Sequence, residues 1–183
     1  MKQLSWILLT YKVPPEPAKG RIGVWRKIKG MGAVYLQNGV CLLPHSDDHL
    51  RRLKMLENEI TSLSGEAVLL ETVGLDKAQE DKVIARFRAD RDEEYREFLG
   101  KCADFEAEIA KERADEHFTY AELEENDEDL KKLRTWLAKI TKLDFYGGEL
   151  SAEAASRLTA CEVLLDEYAK QVFEAQEENR GAT

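Results

Sequence analysis

The stretch Ala33-Val34-Tyr35-Leu36-Gln37-Asn38-Gly39-Val40-Cys41-Leu42-Leu43-Pro44 decides the fold. Two runs of β-branched, aromatic and aliphatic residues flank Asn38-Gly39, and both of those residues tolerate the positive φ that a tight hairpin turn requires. Residues 33–37 and 40–43 are therefore expected as paired strands, and Pro44, which has no N–H for a ladder, closes the second. Downstream, Ser46 stands where a helix N-cap would, with Asp47 and Asp48 in the first turn complementing the helix dipole. Leu53, Leu56, Ile60 and Leu63 then recur at helical spacing up to Ser64-Gly65, and residues 67–73 read as a further strand. Upstream, the apolar run 6–11 is a strand stopped by Val13-Pro14-Pro15-Glu16-Pro17. It is followed by Ala18, Ile22, Trp25 and Ile28 at helical spacing.

The order β-α-β-β-α-β over residues 1–75 is that of a ferredoxin-like unit. Right-handed crossovers in such a unit put both helices on one face of a four-stranded antiparallel sheet. After Gly74 the strand signals stop. One helical pattern runs from about 76 to 113 with Ile84, Phe87, Tyr95, Phe98, Cys102, Phe105 and Ile109 on its stripe, interrupted by Arg91 and weakened by Gly100, so a bend or break is expected there. Thr119-Tyr120-Ala121-Glu122 is a capping box that opens a second helix with the stripe Leu123, Leu130, Leu133, Leu137 and Ile140. After the turn Asp144-Phe145-Tyr146-Gly147-Gly148, Ser151 is expected to cap a third helix carrying Ala154, Leu158, Cys161, Leu165, Tyr168 and Val172. Residues 174–183 are polar and expected to fray. The expected fold class is α+β: a ferredoxin-like βαββαβ domain over 1–75, followed by an all-α three-helix bundle domain over 76–183.

Composition narrows the function. The chain has 183 residues, of which 43% are hydrophobic and 34% charged. No run approaches the roughly 20 apolar residues that span a bilayer, and no cleavage site follows the first apolar run, so neither a membrane protein nor a secreted one is expected. Cys41, Cys102 and Cys161 are odd in number and far apart, the pattern of reduced, buried thiols in a cytoplasmic protein. The net charge of −9 is unevenly spread. Residues 1–56 hold ten Lys/Arg against Glu16, Asp47 and Asp48, a net +7, which leaves −16 for the remainder. Such asymmetry points either to a polyanion-binding face at one end or to two differently charged solvated faces.

No catalytic, cofactor-binding or metal-binding residues are expected. His45 and His49, with Asp47 and Asp48 between them, are ligand types, but they straddle a strand end and a helix start, where such residues serve capping. The acidic run Glu122, Glu124, Glu125, Asp127, Glu128, Asp129 lacks the spacing and glycine of a calcium loop and reads as a solvated helix face. There is no glycine-rich phosphate loop and no nucleophile signature. The first helix places Ala18, Ile22, Trp25 and Ile28 on one side and Lys19, Gly23, Arg26, Lys27 and Gly30 on the other, with Arg21 and Lys29 near the boundary. On the second helix Arg51 and Lys54 project away from the leucines, with Arg52 at their edge. Convergence of Lys19, Arg26, Lys27, Lys29, Arg51 and Lys54 on one face would make a phosphate-neutralising, DNA-binding surface. The other reading is an ordinary solvated basic face.

Several stretches carry a family resemblance. Residues 6–14 (Trp-Ile-Leu-Leu-Thr-Tyr-Lys-Val-Pro), 24–33 (Val-Trp-Arg-Lys-Ile-Lys-Gly-Met-Gly-Ala) and 36–44 resemble the N-terminal region of the ChrB chromate-resistance regulators. So do Phe118–Asn126, Leu133-x-x-Trp136-Leu137-x-Lys139-Ile140 and Asp144-Phe145-Tyr146-Gly147. The resemblance covers about residues 5–173. It implies a cytoplasmic transcriptional repressor that responds to chromate, with DNA as partner, homodimer assembly and no cofactor. Full-length members carry a second, C-terminal sensing domain, and the chain is expected to lack it. The alternative is therefore a non-DNA-binding dimerisation or adaptor protein working with a separate chromate-sensing domain protein. A more distant likeness joins the α/β unit to the central domain of the phenylacetate repressors and to the small CRISPR adaptation nucleases. The nucleases place a metal-binding aspartate at the end of the first strand. Here Tyr11-Lys12-Val13-Pro14 offers no carboxylate, so no enzyme is expected.

Overall fold

The computed structural model describes residues 3–181. They form β1 (Ser5–Lys12), α1 (Ala18–Gly30), β2 (Val34–Gln37), β3 (Val40–Pro44), α2 (Asp47–Ser62), β4 (Glu66–Val73), α3 (Lys77–Ala114), α4 (Tyr120–Lys142) and α5 (Ser151–Gly181). The chain divides into two compact units. The first runs to Asp90 and takes in Leu143–Tyr146, and the second comprises Arg91–Lys142 and the residues from Gly147 onward. Sequence patterning puts a boundary at residue 75, where strand signals end. The compact units instead divide within α3, because Val83, Ile84 and Phe87 pack on the sheet. Among the described residues no helix is long and apolar enough to cross a membrane.

The first unit is the α+β body. Its antiparallel sheet has the order β2-β3-β1-β4, with β1 paired to both β3 and β4. Side chains alternate along each strand, so Ile7, Leu9, Cys41 and Leu43 face one way and meet Val24 and Ile28 of α1 and Leu53, Leu56 and Ile60 of α2. Trp6, Val34 and Leu42 face the other way and meet Phe87. The hairpin forms as its turn residues dictate. Gly39 sits at φ +71, Tyr11 N–H donates to Gly39 O at 2.8 Å, and a Cβ at Gly39 would lie 2.5 Å from Tyr11 O. Only glycine satisfies both conditions. Ser46 caps α2, its Oγ accepting from His49 N at 3.0 Å.

The orientation of α1 corrects the sequence reading. Val24 and Ile28 are buried, whereas Ile22 and Trp25 are 46% and 51% exposed. The buried ridge follows a four-residue step, Gly20-Val24-Ile28, in which the absent side chain of Gly20 lets Leu63 approach: a Cβ there would be 3.3 Å from its Cδ2. Helical spacing through Ala18, Ile22, Trp25 and Ile28 favoured the Trp25 side, but packing against the sheet selected the narrower ridge.

In the second unit α3, α4 and α5 share one apolar core that includes Phe98, Cys102, Ile109, Leu130, Ile140, Cys161 and Tyr168. Glu112 meets Asn126 and Phe98 meets Trp136, so α3 and α4 run antiparallel. Asp92 pairs with Leu150 and Tyr168 with His117, so α3 and α5 run parallel. Helix α3 continues through Arg91 and Gly100 without the expected break, and Arg91 is itself buried beside Glu94, 3.0 Å away. Thr119 accepts from Glu122 N at 3.2 Å, as the capping box requires. Ser151 is the first residue of α5, not its cap; the preceding Leu150 N donates to Asp92 Oδ1 at 3.0 Å. Instead of fraying from 174, α5 continues to Gly181, where Gln176 Nε2 donates to Phe118 O at 2.8 Å. Ala182 and Thr183 lie outside the described residues.

Candidate nucleic-acid interface

The six cations that sequence analysis grouped together fall into distinct settings, all within the first unit. Lys19 and Arg26 are exposed on the solvent side of α1, and among the described residues neither has a carboxylate partner. Lys27 lies on the flank toward α2 and pairs with Glu59. Lys29 lies on the opposite flank, with Nζ 3.5 Å from Asp90 Oδ2. Arg51 is tied to its own helix, where Nη2 donates to Asp48 Oδ1 at 2.6 Å and holds that carboxyl below its usual range. Lys54 is exposed and without a carboxylate partner among the described residues.

These cations do not converge. Arg52, not Arg51 or Lys54, is the α2 cation turned toward α1, and it shares a shallow 350 Å³ groove with Lys27, Met55 and Glu59. A helical step of 100° carries Arg51 and Lys54 off that flank. Half of the predicted set is neutralised locally, which leaves Lys19, Arg26 and Lys54 available for an external anion. The unit as a whole, residues 1–90 with 143–146, holds fourteen Lys/Arg and twelve Asp/Glu. The positive excess is thus a property of particular surfaces, not of the entire unit.

Sequence reasoning missed a second cationic surface. The rotation of α1 turns Arg21, Ile22 and Trp25 toward the end of β1 and the hairpin, where they line a groove of about 810 Å³ with Lys12, Tyr35 and Arg86. No carboxylate lines it. Lys12, Arg21 and Arg86 have no ion-pair partner among the described residues; Glu66, opposite Lys12 in the β1–β4 register, forms no ion pair with it. Arg86 is oriented by its own bond, Nη2 donating to Tyr35 O at 2.5 Å. The phenol oxygens of Tyr11 and Tyr35 are 2.7 Å apart. Burial, with the Tyr11 hydrogen bond adding to it, raises the Tyr35 phenol well above its ordinary value, so it stays neutral and acts only by hydrogen bonding. The one signal in the sequence was the Tyr11-Lys12 end of β1. Arg86 comes from α3, which patterning assigned to another domain.

The histidines are committed separately. His45 Nδ1 is 3.3 Å from Glu71 Oε1, and His49 Nδ1 is 2.7 Å from Pro44 O. A carbonyl only accepts, so Nδ1 of His49 carries its proton. Among the described residues no three His, Cys, Asp or Glu side chains gather as a metal site.

Comparison with known proteins bears on what these surfaces belong to. No solved structure matches the chain. Protein ChrB of Cupriavidus metallidurans (strain ATCC 43123 / DSM 2839 / NBRC 102507 / CH34) is 28% identical over 152 residues, which is 83% of this chain and 44% of that protein. The chain therefore spans less than half the length of this relative. The family described as "Protein ChrB, N-terminal" matches residues 21–179, a span that begins inside α1 after Lys19 and takes in the hairpin, α3, α4 and nearly all of α5. With most of α1, the hairpin and the three-helix core inside one match, the chain belongs to the ChrB N-terminal family.

Proposed function

We propose that this chain is a regulator of chromate resistance that binds duplex DNA through the solvent face of α1. It acts by association, without catalytic chemistry. The observation that carries the reading is the pair Lys19 and Arg26, exposed one above the other on α1 without a carboxylate partner among the described residues. Lysine and arginine so placed exchange condensed counterions for phosphate contacts, giving salt-sensitive binding whose register comes from the backbone and not from base edges. Lys54 extends the positive field, whereas Lys27, Lys29 and Arg51 contribute less because Glu59, Asp90 and Asp48 already engage them.

The test is fluorescence anisotropy with duplexes from the DNA flanking the chain's own gene, over a salt series. Lys19→Glu with Arg26→Glu is expected to weaken binding at least tenfold and to lower the log–log salt slope by about 2, close to 0.9 for each phosphate no longer neutralised. Lys27→Gln with Lys29→Gln is expected to change it less. Equal affinity of the Lys19/Arg26 variant and the parent protein would reject the proposal.

A second reading, assembly through the α/β unit as a homodimer, is favoured by the edge strand β4. It lies at the end of the sheet and leaves Val68 and Leu70 52% and 53% exposed. Unpaired edge N–H and C=O groups beside apolar side chains are a template for a further strand.

A further inference from the structure

The groove between α1, the end of β1 and the β2–β3 hairpin combines features that a duplex backbone does not need. It has three cations, Lys12, Arg21 and Arg86, and no acidic residue in its lining, so any resident ligand is an anion. Its wall also carries Trp25 and Ile22, both about half exposed. Of the three tryptophans, Trp6 is buried and Trp136 half-buried, so Trp25 is the most exposed, and it is the one that lines this groove. Flat aromatic surface left exposed beside uncompensated cations matches a ligand that is both planar and phosphorylated. Base–aromatic stacking together with arginine contact is how proteins hold unpaired nucleotides. The amides of Gln37 and Asn38 supply hydrogen-bonding groups for the edge of a base. A volume of about 810 Å³ falls within the usual range of small-ligand sites.

We infer that this groove binds a nucleotide, with its base stacked on Trp25 and its phosphate held by Arg21, Lys12 and Arg86. The nucleotide is either free or part of an unpaired strand. The groove is distinct from the proposed duplex contacts, since neither Lys19 nor Arg26 lines it.

Adenosine 5′-monophosphate, a twelve-residue deoxyadenosine oligonucleotide and inorganic phosphate are titrated into the intact chain while tryptophan emission is followed. Saturable quenching by the monophosphate or the oligonucleotide is expected, with Trp25→Ala abolishing it and weakening oligonucleotide binding about tenfold, the loss of one stacked base. Arg21→Gln, a substitution at an exposed helical site, is expected to weaken binding while leaving the quench at saturation intact. Equal affinity for the monophosphate and the oligonucleotide identifies a free nucleotide as the ligand, and strong preference for the oligonucleotide identifies a strand; both support the site. Absence of saturable quenching would overturn it, as would inorganic phosphate competing as well as the monophosphate. Lys19→Glu with Arg26→Glu is expected to leave the quench unchanged, and its loss in that variant would overturn the separateness of the two surfaces.

Discussion

Trp6 and Tyr146, 140 residues apart, are joined by a hydrogen bond in which the indole Nε1 donates to the phenol oxygen at 2.8 Å. Trp6 is 1% exposed, so water cannot replace this acceptor. The bond ties the segment between α4 and α5 to the sheet of the first unit. There Phe145 and Tyr146 both pack against Phe87, at ring-centroid distances of 6.1 and 5.1 Å. Tyr146→Phe keeps the ring and orphans the indole N–H, at a cost of about 1–3 kcal/mol. Urea unfolding of the variant is expected to show a lower midpoint with an unchanged slope, and an unaltered midpoint would mean that the bond contributes nothing net.

Glu112 sets a pH dependence of stability. It is buried, and burial raises its carboxyl above the ordinary value of 4.5, although Asn126 Nδ2 donates to it at 2.8 Å. The native state therefore holds this proton more tightly than the unfolded chain does. The stability it contributes is complete below 4.5 and is lost as pH rises through the raised value. Glu112→Gln retains an acceptor for Asn126 and has no proton to lose. Its urea midpoint, relative to that of the parent protein, is expected to improve from pH 4 to pH 8, and parallel pH profiles would refute the assignment.

All three thiols are buried, and burial pushes Cys41 and Cys161 up to about 12 and raises Cys102 as well. The thiolate is the reactive form. Iodoacetamide at pH 8 is expected to label none of the three in the native protein and all three in guanidinium, as counted by intact mass. Prompt labelling of the native protein at Cys161 would show that the α3–α5 packing opens readily.

The edge strand predicts assembly. Val68→Glu with Leu70→Glu places charge on the exposed side of β4 without touching the core side chains of β1. Light scattering is expected to give a dimer for the parent protein and a monomer for this variant; a monomeric parent protein would exclude the homodimer reading.

Much of this architecture is local in origin and so is legible in the sequence. The Asn38-Gly39 turn, the Ser46 cap and the Thr119 cap each depend on residues a few positions apart. The stripe Ala154, Cys161, Leu165, Tyr168, Val172 is continuous enough to specify its own buried face. Periodicity misleads where two candidate faces compete. On α1 the ridges through Val24 and through Trp25 differ by 100°, and only the sheet beneath selects between them. Asn126 does not stand out in the α4 stripe because it is polar, yet it is buried, with Nδ2 donating to Glu112 Oε2 and Glu122 O at 2.8 Å each.

By itself, then, the sequence determined the order of elements, their caps and turns, and the faces of the long helices, because these follow from φ preferences and from periodicity within one segment. Tertiary structure alone decided that Lys27 and Lys29 are spent on Glu59 and Asp90, and that Tyr146 completes the Trp6 side of the sheet. It also decided that Lys12, Arg21, Trp25 and Arg86 line one groove. Those four residues come from β1, α1 and α3, and no periodicity within one segment records which surfaces three separate elements will bring together.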